Sequence, residues 1–112
     1  MSFEHYQPPD KFCLSRCEKE EIKIMLAALR KLTSTTWNAA FQQGGKGPNK
    51  TGLAPTPYKD HDLKHVKRPT EISADLGILG IRASQKYRIF GVRSRDVYFV
   101  LWFDRNHEIV KA

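Results

Sequence analysis

Five arginines lie among aromatic residues in the last third of the chain. They are Arg82, Arg88, Arg93, Arg95 and Arg105, and the rings between them are Tyr87, Phe90, Tyr98 and Trp102. Guanidinium groups match the geometry of phosphate oxygens, and aromatic rings provide stacking surfaces for bases. Strand arginines also lie along sheet edges without binding a ligand. The number of cations here favours a surface that meets RNA.

His107 follows the apolar run that ends at Asp104, within the text DRNHEIV. A histidine titrates near neutral pH, so it could accept or donate a proton during phosphodiester cleavage. The alternative is a turn histidine that is hydrogen-bonded to a neighbouring carboxylate. In either case the end of a rigid strand can present this side chain to solvent.

A second basic segment, KDHDLKHVKRP, covers residues 59 to 69. Its candidate RNA-binding residues are Lys64, His65, Lys67 and Arg68. Such cations can follow a sugar-phosphate backbone. A charged loop is as often only solvated, and two aspartates offset part of this charge, so both interpretations stay open.

The text GGKGPNKT at 44 to 51 approaches the phosphate-binding pattern G-x-x-x-x-G-K-[ST]. Asn49 stands where the second glycine is required, and the element predicted before the loop is a helix rather than the strand that the motif needs. We therefore interpret the segment as a flexible basic linker.

A zinc site could be assembled from His61 and His65, four positions apart, with Cys13, Cys17 or His107. The two cysteines lack a second paired motif, and cysteines beside a helix start are more often buried as small apolar residues. We expect no metal and no cofactor. A zinc module or metal-dependent enzyme is the weakest of the hypotheses.

Two helices are predicted in the first half of the chain. Apolar residues recur at helical spacing over about 17 to 33, namely Ile22, Met25, Leu26, Leu29 and Leu32. Ser15 and Glu18 fit a capping box before them. A shorter helix is indicated by Trp37, Ala40 and Phe41, with glycines 44 and 45 as stops. The pair predicts a helical hairpin.

Three strands are predicted after Pro69, in the segments ILGIRAS (78 to 84), YRIFGVR (87 to 93) and DVYFVLWFD (96 to 104). The connections between them are short enough for hairpins, so the sheet is expected to be an antiparallel meander. A last short strand is expected at Ile109 and Val110. Residues 1 to 14 are predicted to form a flexible, loosely packed arm, and residues 44 to 69 a long basic loop.

The 112 residues predict a single domain over 1 to 112, with a net charge of +7 and enough apolar residues, 40%, to bury a core. Excess positive charge favours anionic partners, nucleic acid first. No apolar run is long enough to cross a bilayer, and no signal peptide opens the sequence, so we expect a soluble protein of the cytoplasm with no membrane partner. Two cysteines in a reducing compartment should remain thiols.

The order of these elements resembles the RelE/ParE-type toxin superfamily of toxin–antitoxin modules. The texts LKHVKR, ILGIRAS-x-KYRIFGV and VYFVLWFDRNHEIV carry the likeness, which covers about residues 15 to 112. The resemblance implies an α+β fold in which an N-terminal helical hairpin packs on a three- to four-stranded antiparallel sheet.

What the resemblance implies for function is a metal-independent endoribonuclease that cleaves mRNA, often on the ribosome, and is held inactive by a cognate antitoxin protein. Arg82 and Arg88 match the sheet arginines of the family, and His107 stands near its C-terminal acid or orienting residue. These three are the catalytic candidates. His65, Lys64 or Lys67 could fill the basic positions before the first strand.

Two departures from the family pattern support an alternative function. The loop at 44 to 69 is longer than the family's usual connection, and the common arginine-to-tyrosine ending is replaced by EIVK at 108 to 111. The alternative is a non-catalytic RNA- or protein-binding accessory protein on the same scaffold. Binding without cleavage, with an affinity that falls steeply as salt rises, would distinguish it.

Overall fold

The computed structural model describes residues 1–43 and 52–110. Two helices come first, α1 (Lys19–Thr33) and α2 (Trp37–Gln43). Four strands follow, β1 (Thr56–Tyr58), β2 (Ile78–Arg82), β3 (Arg88–Ser94) and β4 (Val97–Asp104). They form one antiparallel sheet in the order β1-β2-β3-β4. The predicted α+β class, with an N-terminal helix packed on an antiparallel sheet, is confirmed.

Helix α1 begins two residues later than predicted and has a different cap. The Glu18 amide donates to the Glu21 side chain at 2.6 Å, whereas Ser15 lies in a short 3-10 turn before the helix. The buried face consists of Met25, Ala28, Leu29 and Leu32, and Leu26 is 48% exposed. The helical period was therefore predicted correctly, but Leu26 lies outside the stripe that meets the sheet.

The fourth strand is not where the sequence placed it. Thr56–Tyr58 pairs with β2, inside the stretch that was expected to have no secondary structure. Ile109 is fully buried, yet its amide donates to the Asp104 carboxylate and its carbonyl accepts the Lys64 amide. Its backbone therefore belongs to a turn, and the expected strand at 109 and 110 is wrong.

Apolar residues cover both faces of the sheet. The face towards α1 carries Leu79, Ile81, Ile89, Tyr98, Val100 and Phe103. The opposite face carries Ile78, Phe90, Val92, Leu101 and Trp102, packed with Phe12, Val66, Ile72 and Ile109. Because both faces are apolar, the strand arginines lie towards the ends of the strands.

Gly91 lies at an irregularity in the pairing of β3 with β4. Phe90 is opposite Trp102 and Gly91 is opposite Val100, so β4 has one extra residue. A Cβ atom at Gly91 would overlap the Phe99 carbonyl oxygen. The bulge lets Leu101 and Trp102 both pack in the cluster opposite α1.

The segment predicted as a loosely packed arm lies against the sheet in the structure. The Ser2 amide donates to the Tyr98 carbonyl at 2.8 Å, and the Val100 amide donates to the Ser2 carbonyl at 2.9 Å. Phe12 is 3% exposed. These contacts pair the N-terminal segment with the outer edge of β4, an edge that would otherwise present unpaired backbone groups.

Candidate functional site

A cavity of about 310 Å³ opens at one end of the sheet, on the face opposite α1. Residues of β1, β2, β3 and the turn after β4 line it, among them Tyr58, Gly80, Arg82, Arg88, Phe90 and His107. The three residues predicted to be catalytic, 25 positions apart at their extremes in the chain, therefore meet in one concavity.

Arg82 and Arg88 are direct partners across β2 and β3, as the last residue of one strand and the first of the next. Directly opposed side chains point to the same face, with Cβ atoms about 5 Å apart, and like charges in this arrangement are destabilising. Arg82 is exposed and Arg88 is half-buried. A bound anion would offset the repulsion between the two guanidinium groups, which makes this pair the strongest functional signal in the structure.

The Arg88 guanidinium is held in place by backbone carbonyls and by its surroundings. Its Nη1 donates to the Ser84 carbonyl at 2.6 Å and to the Tyr87 carbonyl at 3.1 Å. Burial lowers the pKa of Arg88 and the charge of Arg82 lowers it further, while Tyr58 and Asp104 act in the opposite direction. The group remains charged at neutral pH because arginine starts far above it.

Asp104 shapes the turn that carries His107. The buried carboxylate of Asp104 accepts the Asn106 amide at 3.3 Å and the Ile109 amide at 2.7 Å. His107 has φ of 55°, in the left-handed region that costs a side-chain-bearing residue about 1 kcal/mol or more. The two bonds to Asp104 close the turn around this strained residue, and His107 lines the cavity from that turn.

His107 also has an unsatisfied polar atom. Its Nδ1 is buried and has no hydrogen-bond partner among the described residues. A buried polar atom without a partner costs about 1–3 kcal/mol, and a catalytic role is one of the reasons why a protein retains such an atom. The predicted alternative was a turn histidine that is hydrogen-bonded to a neighbouring carboxylate. At Nδ1 no such bond to a described residue is present, and the nearby Asp104 carboxylate accepts backbone amides.

Tyr58, which was not predicted from the sequence as a site residue, lines the cavity from β1. Its ring lies 5.8 Å from that of Phe90, centroid to centroid, at an interplanar angle of 52°. A three-residue strand that contains a proline has no detectable apolar period. The one sequence signal for this residue was an aromatic side chain in a segment of prolines and charged residues. Edge strands are where proline is tolerated, and β1 is such an edge.

Two of the predicted RNA-binding arginines are instead bound to carboxylates. Arg68 donates to both oxygens of Asp60, at 2.8 and 3.1 Å, and to the Ser73 carbonyl at 2.5 Å. Arg105 binds the Glu21 carboxylate at 2.9 and 3.1 Å. Both guanidinium groups hold loops or elements together, and neither lines the cavity.

Arg93 and Arg95 lie at the other end of the sheet. Arg93 stacks on the Trp37 ring, 4.7 Å from its centroid, and its Nε donates to the Arg95 carbonyl. Arg93 lies five positions after Arg88 on β3, a distance of about 17 Å along the strand. Arg95 is exposed in the turn between β3 and β4. These two residues are not part of the cavity.

The remaining predicted cations, Lys64, His65 and Lys67, are exposed. The Lys64 amide donates to the Ile109 carbonyl at 2.7 Å, which places Lys64 beside the turn of His107. His65 stacks on Phe12 at 6.3 Å, and Lys67 lines a separate concavity next to Trp102. The backbone of Lys64 thus adjoins the turn of the candidate site, and His65 acts electrostatically on Glu108 in the same turn.

The residues of the zinc hypothesis do not assemble. Within 1–43 and 52–110, no three histidine, cysteine, aspartate or glutamate side chains lie close enough together to hold a metal ion. His61 is exposed and pairs with Asp62, and both cysteines are free thiols. The phosphate-loop-like text at 44 to 51, interpreted as a flexible linker, lies outside the described residues.

Comparisons with known proteins found no relative. A scan of the chain against protein-family models gave no match, and searches of curated proteins and of solved structures gave none. In the described ranges, no helix has the length and apolar character needed to span a bilayer. The chemistry of the cavity is therefore the basis for any functional proposal.

Proposed function

We propose that this protein is a metal-independent endoribonuclease that cleaves mRNA, on the RelE-like scaffold that the sequence resembles. The observation that carries the proposal is the opposed pair of Arg82 and Arg88 in one cavity with His107. During cleavage the phosphodiester gains a second negative charge in the transition state. Two adjacent guanidinium groups stabilise this charge more than the single charge of the ground state. In this proposal the protein acts in the cytoplasm as the toxin of a toxin–antitoxin module.

The proposed reaction needs only groups of the RNA and of this chain. The ribose 2′-oxygen attacks the adjacent phosphorus, and the bond from phosphorus to the 5′-oxygen breaks, which yields a 2′,3′-cyclic phosphate and a 5′-hydroxyl. His107 accepts the proton of the 2′-hydroxyl, and the leaving 5′-oxygen takes a proton from solvent. Arg82 and Arg88 bind the phosphate oxygens throughout.

A growth experiment with a double variant tests the proposal. Expression of the wild-type protein in a bacterial host is expected to arrest growth and fragment transcripts. The Arg82→Ala, His107→Ala variant is expected to lose cleavage by a factor of about 100 or more, since each removed group contributes on that order. Equal growth and intact transcripts in both cultures would sink the proposal.

A matched control changes the same residue types away from the cavity. Arg30 is exposed on α1, on the other face of the sheet, and the His61 side chain is 76% exposed. The Arg30→Ala, His61→Ala variant is expected to arrest growth as the wild type does.

Purified protein should cleave RNA equally well with and without a chelator.

The alternative of a non-catalytic binding protein also has an observation in its favour. The Nδ1 atom of His107 is sealed from solvent, and Arg88 uses Nη1 on backbone carbonyls. A site of this kind can bind a phosphate without cleaving the chain. Retention of intact RNA by the wild type, with loss of retention in Arg82→Ala, would favour this function over the nuclease. An antitoxin partner belongs to the nuclease proposal and is not needed here.

A further inference from the structure

The position of the Tyr58 ring depends on the missing side chain of Gly80. Gly80 is opposite Thr56 on β1 and opposite Phe90 on β3. A Cβ atom at Gly80 would lie 2.8 Å from Cε2 of Tyr58, which is too close, and 3.1 Å from Cε1 of Phe90, which is tight. The Tyr58 ring would have to move. Glycine therefore lets the Tyr58 ring lie across β2.

The two aromatic rings differ in exposure. Phe90 is 1% exposed and forms the support, whereas Tyr58 is half-buried and lines the cavity. A ring that is packed on one side and open on another can stack on a base, and such stacking does not depend on base identity. Tyr58 is thus an available stacking surface rather than a core residue.

The stacking surface and the arginine pair lie at a fixed separation. Gly80 and Arg82 are two residues apart on β2 and face the same side, which corresponds to about 7 Å along the strand. Arg82, at the end of β2, and its partner Arg88 on β3 place two positive charges there. This spacing matches a nucleotide whose base and phosphate are joined through one ribose.

The volume of the cavity limits the size of its ligand. About 310 Å³ is at the lower end of the roughly 300 to 1,000 Å³ typical of small-molecule sites. It admits one nucleotide and excludes a duplex. Single-stranded RNA is recognised in this way, with an unstacked base placed on an aromatic side chain.

We infer that the cavity binds one nucleotide of single-stranded RNA, with the base stacked on Tyr58 and the 3′-phosphate between Arg82 and Arg88. The inference rests on the proposed function and adds to it the size of the bound unit, one nucleotide, and a binding residue, Tyr58, on β1. We expect little preference among the four bases, because the Tyr58 ring provides a stacking surface and no base-specific hydrogen bond.

Calorimetry with small ligands tests the inference on the full chain. Adenosine 3′-monophosphate is expected to bind about 5- to 100-fold more tightly than inorganic phosphate, the range that one base–aromatic stack provides. Tyr58→Leu should abolish this difference and leave phosphate affinity unchanged, and Tyr58→Phe should retain it. Phe3→Leu, which changes an aromatic residue that is 44% exposed elsewhere, should have no effect.

Two results would overturn the inference. One is equal affinity of the wild type for the nucleotide and for inorganic phosphate. The other is unchanged nucleotide affinity in Tyr58→Leu. If that variant does not fold, nuclear Overhauser effects between the base protons and the Tyr58 ring in the wild type decide the question, since their absence contradicts stacking.

The outcome is independent of catalysis, because a mononucleotide has no phosphodiester bond to cleave. Binding that depends on Tyr58, together with intact RNA in the growth experiment, would overturn the nuclease proposal alone. Cleavage of RNA by a protein whose nucleotide affinity does not depend on Tyr58 would overturn only the stacking inference.

Discussion

Asp104 holds the local geometry of the candidate site through the turn that carries His107. Its carboxylate is 1% exposed and accepts two backbone amides from the turn that carries His107. It also acts electrostatically on Arg88, its cross-strand partner. One buried carboxylate therefore supports both the turn of the imidazole and one of the two guanidinium groups.

Removal of this carboxylate should destabilise the protein and disturb the cavity. Asp104→Ala leaves the buried amide of Ile109 without its acceptor, which costs about 1–3 kcal/mol. It also removes the hydrogen bond to the amide of the exposed Asn106, which adds about 1 kcal/mol. We expect the free energy of unfolding to fall by about 2–4 kcal/mol in urea denaturation. Asp75→Ala, at an exposed loop position, should change it by less than about 0.5 kcal/mol. A loss in Asp104→Ala as small as that of the control would contradict the role of Asp104.

At the scale of elements, an ion pair joins the start of α1 to the residue after β4. Arg105 binds the carboxylate of Glu21, whose side chain is 10% exposed. Burial raises the pKa of Glu21, but the Glu18 amide and the Arg105 guanidinium lower it by more, so the net pKa is below its ordinary value of 4.5. The pair ties the helix to the end of the sheet near the turn of His107.

The lowered pKa makes part of the stability depend on pH. A carboxyl group whose pKa is lower in the folded state contributes stability above its unfolded pKa, and this is lost as pH falls through the folded pKa. When the pH is lowered from about 6 to about 3, the free energy of unfolding, measured by urea denaturation, should fall less for Glu21→Gln than for the wild type. Glu20→Gln, at an exposed neighbouring position, should follow the wild-type curve. Parallel curves for Glu21→Gln and the wild type would contradict this prediction.

At the scale of the molecule, the cations behind the net charge of +7 have different surroundings. Arg68 and Arg105 are neutralised by carboxylates, whereas Arg82 and Arg88 face each other in a cavity. In the proposed complex with RNA, only cations that meet phosphate would release counterions, so the net charge would overstate the number of phosphate contacts. The salt dependence of binding measures which cations take part.

The affinity for single-stranded RNA should fall as salt rises, and the slope should identify Arg82. In a plot of log affinity against log salt concentration, Arg82→Gln is expected to reduce the slope by about 1, since it removes one phosphate contact. Arg30→Gln lowers the net charge equally from the far side of the sheet and should leave the slope unchanged. Equal slopes for the wild type and Arg82→Gln, measured by fluorescence anisotropy, would exclude Arg82 from the interface.

The sequence by itself determined α1, α2 and strands β2 to β4, because each depends on a local period of apolar residues and on nearby turn residues. It also predicted that Arg82, Arg88 and His107 belong together. They line one cavity because the first two face each other across the β2–β3 hairpin and the third follows the end of β4. The strand at 56 to 58 was missed because three residues with a proline carry no period.

Only the tertiary structure decided which cations are available. Arg105 is paired with a glutamate 84 positions away, and no local pattern specifies such a partner. The same holds for Tyr58, whose place beside the arginines depends on strand pairing with β2 and on the absence of a side chain at Gly80. Local propensity acts over a few residues, whereas ion pairs and cavities join residues that only the folded chain brings together.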